Sequence, residues 1–322
     1  MRAIPALAPA LAFAATAALA LSAGPLLSAA DAQTLRERIR ARMAERMEAG
    51  EAGAPAAPAA QTIAYGKDPA QRLDFWPAVL PSDPAMRPAP LILFVHGGGW
   101  QHGSKDNATG RWKPVHFPQA GYAFASIDYR LVPQARVEDQ AADVALALRA
   151  LIDRAPALGI DPRRVVLMGH SAGAHLVALV GTDERYLRGA GLSFADVAGV
   201  IPIDGAAYDV PAQIKEGPAI MQRTYAAAFG SAPARQRALS PTLQAAAPNA
   251  PAFLLLHVQR PDGVRQAETL EAALKQAGTR VERRGFPGTG LQGHAEINRS
   301  LGDPAYAATP VVDAWLKRVF GG

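Results

Sequence analysis

The stretch RVVLMGHSAGAHLVALV, residues 164–180, decides how this chain folds. Arg164 to Met168 read as a short apolar strand, Gly169-His170-Ser171-Ala172-Gly173 as a G-x-S-x-G turn, and Ala174 to Val180 as a helix. Strand, sharp turn and helix in that order hold a serine out on a tight corner, where its hydroxyl can act as a nucleophile. A strained corner leaves no room for side chains beside the nucleophile, so glycine at both ends has a steric reason. The helix that opens at the serine also points free N–H groups toward any oxyanion forming there.

Outward from this stretch the chain alternates strand-like and helix-like segments. That pattern predicts an α/β fold, a mostly parallel sheet flanked by helices on both faces. Thr62–Tyr65 and Arg72–Trp76 read as an edge hairpin, and the Pro-rich residues 81–90 lead into a buried strand at Leu91–Val95. Further strands are expected at Tyr122–Asp128, Val197–Ile203, Phe253–Val258 and Arg280–Phe286. Apolar residues at 141, 144, 145, 148, 151 and 152 predict an amphipathic helix over Val137–Arg154, and a last helix is expected at Tyr306–Phe320. Residues 205–250 hold no clear strand and predict a small helical cap or excursion above the sheet.

Arg2, the apolar residues 6–23 and Ala30-Asp31-Ala32 read as an export signal over residues 1–32, removed to leave a periplasmic or secreted chain with no stable membrane insertion. Residues 33–60 follow as a charged helix and a Pro/Ala/Gly linker, and the catalytic domain is expected over residues 61–322. The chain has no cysteine, which excludes a disulfide scaffold, a thiol nucleophile and thiolate metal sites. Its net charge of +5 is scattered, and the cluster Arg36 to Arg42 is followed by Glu45, Glu48 and Glu51, so nucleic acid is not an expected partner.

A serine hydroxyl is protonated at neutral pH and needs a general base, itself oriented by a third group. On a strand–elbow–helix fold the order along the chain is Ser, acid, His, which leaves His175, His257 and His294 as bases. His175 lies one turn along the nucleophile helix and is expected to pack beneath the elbow. His257 ends an apolar strand and reads as structural. His294 sits in GTGLQGH after the last strand, read as a flexible loop, and is the expected base. The acid is expected after the penultimate strand, where Asp262 stands in Arg260-Pro261-Asp262-Gly263; Asp204, Asp209 and Glu268 are the rivals. His96-Gly97-Gly98-Gly99-Trp100 follows the strand Leu91–Val95 and reads as an oxyanion loop, with Gly98, Gly99 and Ala172 as backbone donors. Arg130 is expected to tie its turn to Asp139 or Asp143. Trp100, Trp112 and His170 are candidates for lining the substrate cleft. No metal or cofactor is expected.

HGGGW at 96–100, DYRLVP at 128–133, GHSAG at 169–173 and His294, with Ala228-Phe229-Gly230, Ser240-Pro241 and Ile203-Asp204-Gly205, together resemble the α/β-hydrolase superfamily, within it the hormone-sensitive-lipase-like and carboxylesterase group. Feruloyl esterase-type and kynurenine formamidase-type bacterial enzymes are the similar branches. The resemblance covers about Gln61 to Phe320. It implies an α/β-hydrolase fold and a cofactor-free serine hydrolase cleaving small carboxylic esters of short acyl or aryl type. It maps Ser171, Asp262 and His294 onto the triad. The chain departs from the family around the acid: the usual His-Gly-x-x-Asp becomes His257-Val258-Gln259-Arg260-Pro261-Asp262, without the glycine and one residue longer. Formamide or amide hydrolysis on the same triad, and a catalytically silent binding protein on the same fold, are the alternative readings.

Overall fold

The structure, a computed structural model, describes residues 56–79 and 88–321. The export signal, the charged helix and most of the linker lie outside the described residues. The sheet begins at β1 (Gln61–Ala64) and continues through β2 (Arg72–Trp76), β3 (Ala89–Val95), β4 (Ala123–Ile127), β5 (Ile160–His170), β6 (Gly199–Ile203), β7 (Ala252–Gln259) and β8 (Arg280–Thr289). The spatial order is β1-β2-β4-β3-β5-β6-β7-β8. β1 and β2 are antiparallel, β2 meets β4 antiparallel, and every later pairing is parallel. This is the α/β-hydrolase arrangement, with the elbow strand β5 at its centre.

Continuous apolar strands arise because both faces of a parallel sheet are covered. Successive side chains alternate between two cores. Leu93, Val95, Val165, Leu167 and Leu255 pack with helices Val137–Asp153 and Ala172–Thr182 on one face. Ile92, Phe94, Val166, Met168, Leu254 and Leu256 pack with Trp315, Leu316 and Phe320 of helix Ala308–Phe320 on the other. Each such fully buried side chain contributes about 1.5–3 kcal/mol. The expected excursion between β6 and β7 is helical, with helices Val210–Glu216, Gln222–Phe229, Pro233–Ala238 and Pro241–Gln244.

One local reading changes. GTGLQGH is not a loop: β8 runs on to Thr289, and Gly290–Ser300 is a helix carrying His294 in its second turn. Its glycines serve contact rather than flexibility. A side chain on Gly293 would lie 2.5 Å from the Gly288 carbonyl carbon, so the end of β8 and the first turn of the helix press backbone against backbone.

Candidate active site

All the chemistry-bearing residues sit beyond the carboxyl ends of parallel strands, where crossover connections open a crevice. The elbow after β5 puts Ser171 at φ 56°, ψ −116°, a left-handed conformation that costs a non-glycine residue about 1–3 kcal/mol. The corner is held by Ser171 N–H donating to the Ile203 carbonyl at 3.0 Å and by His175 N–H donating to the Ser171 carbonyl at 3.1 Å. Glycine is required at its ends: a Cβ on Gly173 would stand 2.0 Å from the Val95 carbonyl oxygen, and one on Gly169 2.4 Å from the Gly173 carbonyl oxygen.

Ser171 Oγ donates to His294 Nε2 at 3.0 Å, and His294 Nδ1 donates to Asp204 Oδ2 at 2.6 Å. The structure thus brings together the expected serine and histidine but puts a different carboxylate behind them. Asp262, the expected acid, does not touch the imidazole. It lies in the first turn of helix Pro261–Gln276, where the helix N-terminus favours a carboxylate, and its Oδ2 accepts from Gln213 Nε2 at 3.1 Å. Asp204 is the first residue past β6, the strand next to β5. Its φ of 43° turns it under His294. Its N–H donates to the Leu256 carbonyl at 2.7 Å, and its Oδ1 accepts from Val258 N–H at 3.0 Å, so both ends are anchored to β7. The other rivals are occupied elsewhere: Asp209 caps helix Val210–Glu216, and Glu268 faces Arg283 at 3.5 Å.

Asp204 is fully buried, and burial alone would raise its pKa. The His294 hydrogen bond, the Arg260 charge and the Val258 N–H outweigh burial and hold it down at about 2, so it is an anion at any working pH. Arg260 Nε donates to the same Asp204 Oδ2 at 2.8 Å. Sequence reasoning missed Arg260 and held Asp204 only as one of three rivals to Asp262. The missing glycine and extra residue after His257 were the available signal, since they move the acid position off the end of β7.

The loop after β3 carries Gly98 at φ 129° and Gly99 at φ 61°. The Gly98 carbonyl is turned back to accept from the Gln101 and His102 N–H groups. The N–H groups of Gly98, Gly99 and Ala172 have no acceptor among the described residues. Gln140 Nε2 donates to the Trp100 carbonyl at 2.9 Å and the Tyr129 hydroxyl to the His96 carbonyl at 2.9 Å, which fixes the loop from behind. Arg130 forks onto Asp143, the second of its two expected partners, with Asp139 closing a capping box on Arg136 instead.

A cavity of about 270 Å³ opens on Ser171 and His294, walled by Gly99, Trp100, Ala172, Met221, Tyr225, Arg260, Asp262 and Leu291 among others. Trp100 therefore lines the cleft; Trp112 caps helix Lys113–Gln119 away from it. His170 is not at the cavity. Its Nε2 donates to the His294 carbonyl at 2.9 Å and its ring lies tilted with its centroid 4.5 Å from that of the His294 ring, so it supports His294 from behind. Burial, and then the neighbouring His294, push the pKa of His170 well down, which leaves it neutral. His175 packs beneath the elbow as expected, donating to the Leu239 carbonyl at 2.8 Å and accepting from Trp100 Nε1 at 3.3 Å. His257 donates to the Val258 carbonyl and accepts from Arg283, a structural role. No group of ligating side chains suited to a metal ion occurs among the described residues, and none of their helices is long and apolar enough to cross a membrane.

Known proteins share part of this sequence and its fold. Over 130 residues the chain is 38% identical to esterase LipC of Mycobacterium tuberculosis, covering 38% of this chain and 30% of that one. Over 137 residues it is 34% identical to isoprenylcysteine alpha-carbonyl methylesterase ICME of Arabidopsis thaliana, covering 42% and 30%. The chain thus spans under a third of the length of these curated relatives. Esterase B of Lactobacillus rhamnosis superposes with a TM-score of 0.68 at 21% identity, over 91% of this chain and 96% of that one, a likeness of fold. The BD-FAE family pattern matches residues 79–272, more than half of the sequence and the whole span from the glycine loop after β3 to the Asp204 anchor on β7, and the chain belongs to the BD-FAE family.

Proposed function

We propose that this protein is a serine hydrolase of small carboxylic esters, with Ser171 as nucleophile, His294 as general base and Asp204 as the acid that orients it. The observation that carries this reading is the unbroken line Ser171 Oγ–His294–Asp204 facing a cavity rimmed by backbone donors with no acceptor of their own.

His294 takes the Ser171 proton as the hydroxyl attacks the ester carbonyl. The developing oxyanion is received by the N–H groups of Gly98, Gly99 and Ala172, fixed in place before the reaction. The imidazolium then gives its proton to the leaving alkoxide, and the same ring activates water to release the acyl group. Asp204 keeps the Nδ1 proton in place, so that Nε2 is the free base. The ester half-groups have little room: about 270 Å³ lies below the size of most drug-sized pockets. Ile220 and Leu291, at 78% and 62% exposure, form an apolar rim to the same cavity. Both features support short acyl or aryl esters.

The test is hydrolysis of p-nitrophenyl esters from acetate to palmitate by the wild type and by Ser171→Ala, with N-formylkynurenine alongside. Serine-dependent turnover that falls with acyl length is the expected result. Turnover of the formamide alone would reassign the triad to amide chemistry, and ester turnover undiminished in Ser171→Ala would refute the mechanism.

A further inference from the structure

Arg260 is the polar group at this site that the proton-transfer line leaves without a task. It follows β7 directly, its side chain is 11% exposed, and its donors are committed inward. Nε meets Asp204 Oδ2 at 2.8 Å, NH2 meets the Asp204 and Gly205 carbonyls at 3.2 and 3.4 Å, and NH1 lies 3.5 Å from Asp262 Oδ2. The guanidinium therefore spans the acid's left-handed turn and is steadied by a second carboxylate on its far side. The oxygen it takes from Asp204 is the one that also accepts from His294 Nδ1. A carboxylate oxygen has lone pairs enough for both donors. The negative charge is shared between them all the same. A fixed cation stands on the order of 5 Å from the imidazole, and repels the imidazolium that Asp204 attracts.

We propose that Arg260 is a positioning residue that sets the acid limit of the enzyme: by sharing Asp204 Oδ2 it keeps His294 available as a base at pH values where an unshared carboxylate would hold the ring protonated. The proposal rests on the triad reading above. The other groups around the ring leave Arg260 in control of this balance. His170, whose ring lies tilted against the imidazole, is neutral. Tyr208 and Tyr306, which feel the Asp204 charge, are raised by burial and stay phenols. Lys113 acts on His170 from beyond and is bound to Asn298. Glu296, on the base's own helix, is paired with Arg299. Asp262 faces Arg260 and Gln213.

The experiment is the pH profile of kcat/KM for p-nitrophenyl acetate, followed at the isosbestic wavelength, for wild type, Arg260→Met, Arg260→Gln and Arg260→Lys, with thermal melts of each. Loss of the charge is expected to move the acid limb up by about one pH unit in the Met and Gln variants, so that kcat/KM on that limb falls about tenfold. Arg260→Lys, which keeps the charge without the fork, is expected to return the limb at least half-way. Glutamine matters because it can still donate to Asp204: a purely structural clamp would be rescued by it, whereas a charge effect would not. An unmoved limb in Arg260→Gln, with only the plateau or the melting temperature lowered, overturns the proposal. Should Arg260→Met not fold, the Gln and Lys pair decides alone. A wild type silent toward every ester is a different failure, that of the hydrolase reading itself.

Discussion

Replacing Asp204 by Asn separates the geometry seen here from the assignment that strand position and family resemblance favour. Asp204 Oδ2 receives the His294 and Arg260 donors at 2.6 and 2.8 Å, and Oδ1 receives Val258 N–H at 3.0 Å, so every neighbour of the carboxylate is a donor. An amide presents one acceptor and one donor. With its NH2 toward the ring it forces the proton onto Nε2, which then cannot take the Ser171 proton. With its NH2 toward Val258, two donors meet in a buried site, at about 1–3 kcal/mol. In either pose the charge that steadies the imidazolium is gone. A charge-assisted hydrogen bond is worth about 1.5–3 kcal/mol, and charge loss at an effective dielectric near 20 adds a comparable amount. A barrier increase of about 4–5 kcal/mol corresponds to a loss of roughly a thousandfold or more in kcat. Asp262→Asn removes a carboxylate that touches Gln213 and Arg260 but not the ring, and is expected to cost less than about tenfold. The assay is p-nitrophenyl butyrate hydrolysis at pH 8, with circular dichroism to show that both variants are folded. A thousandfold loss in Asp262→Asn beside near-normal Asp204→Asn would refute the reasoning outright.

Other outcomes follow from the same contacts. Gly173→Ala puts a methyl group against the Val95 carbonyl at 2.0 Å; it is expected to lower unfolding free energy by about 3 kcal/mol or prevent folding, as read by urea titration. Lys113 is wholly buried, donating to the Thr109 carbonyl and to Asn298, one turn beyond His294 on the same helix. Lys113→Met is expected to cost about 3 kcal/mol, and an unchanged urea midpoint would show those carbonyls to be satisfied without it. His96 and His175 are each lowered by burial from the usual 6.5 to about 4. A depressed histidine contributes stability that is complete above pH 6.5 and is lost as pH falls toward 4. Each removes about 1.4 kcal/mol per pH unit, so the pair contributes at most roughly 7 kcal/mol over that window, and His170, also pushed down by burial, acts in the same direction. Urea titrations between pH 7 and 4 check this, and a flat stability curve would contradict it. Asp204, held at about 2, loses its contribution only at still lower pH.

The fold was legible in the chain because each part of it rests on short-range chemistry. The apolar run 164–168 with glycines at 169 and 173 admits few conformations, and residues 96–100 place three glycines directly after a buried strand. Those local constraints carried the elbow, the glycine loop after β3 and the parallel sheet. Ser171 followed from them, and His294 from chain order together with its place after the last strand. What the sequence by itself could not decide is which residues meet from separate strands. Asp204 and Asp262 lie 58 positions apart and both follow an apolar strand, so local pattern treats them alike. Their difference arises only when β6 and β7 lie side by side: the left-handed turn at 204 swings one carboxylate under the imidazole, while the helix beginning at Pro261 carries the other to the cavity wall. Arg260 then stands between the two acids, a relation no spacing along the chain encodes. His294 on a helix rather than a loop has the same origin, since Gly288 and Gly293 reveal a backbone contact only once the strand end and the helix are packed together. Local sequence sets what each segment can be, because backbone sterics and side-chain periodicity act over a few residues. The partnership of Ser171, His294 and Asp204 is set by contacts across the sheet, which belong to the tertiary structure alone.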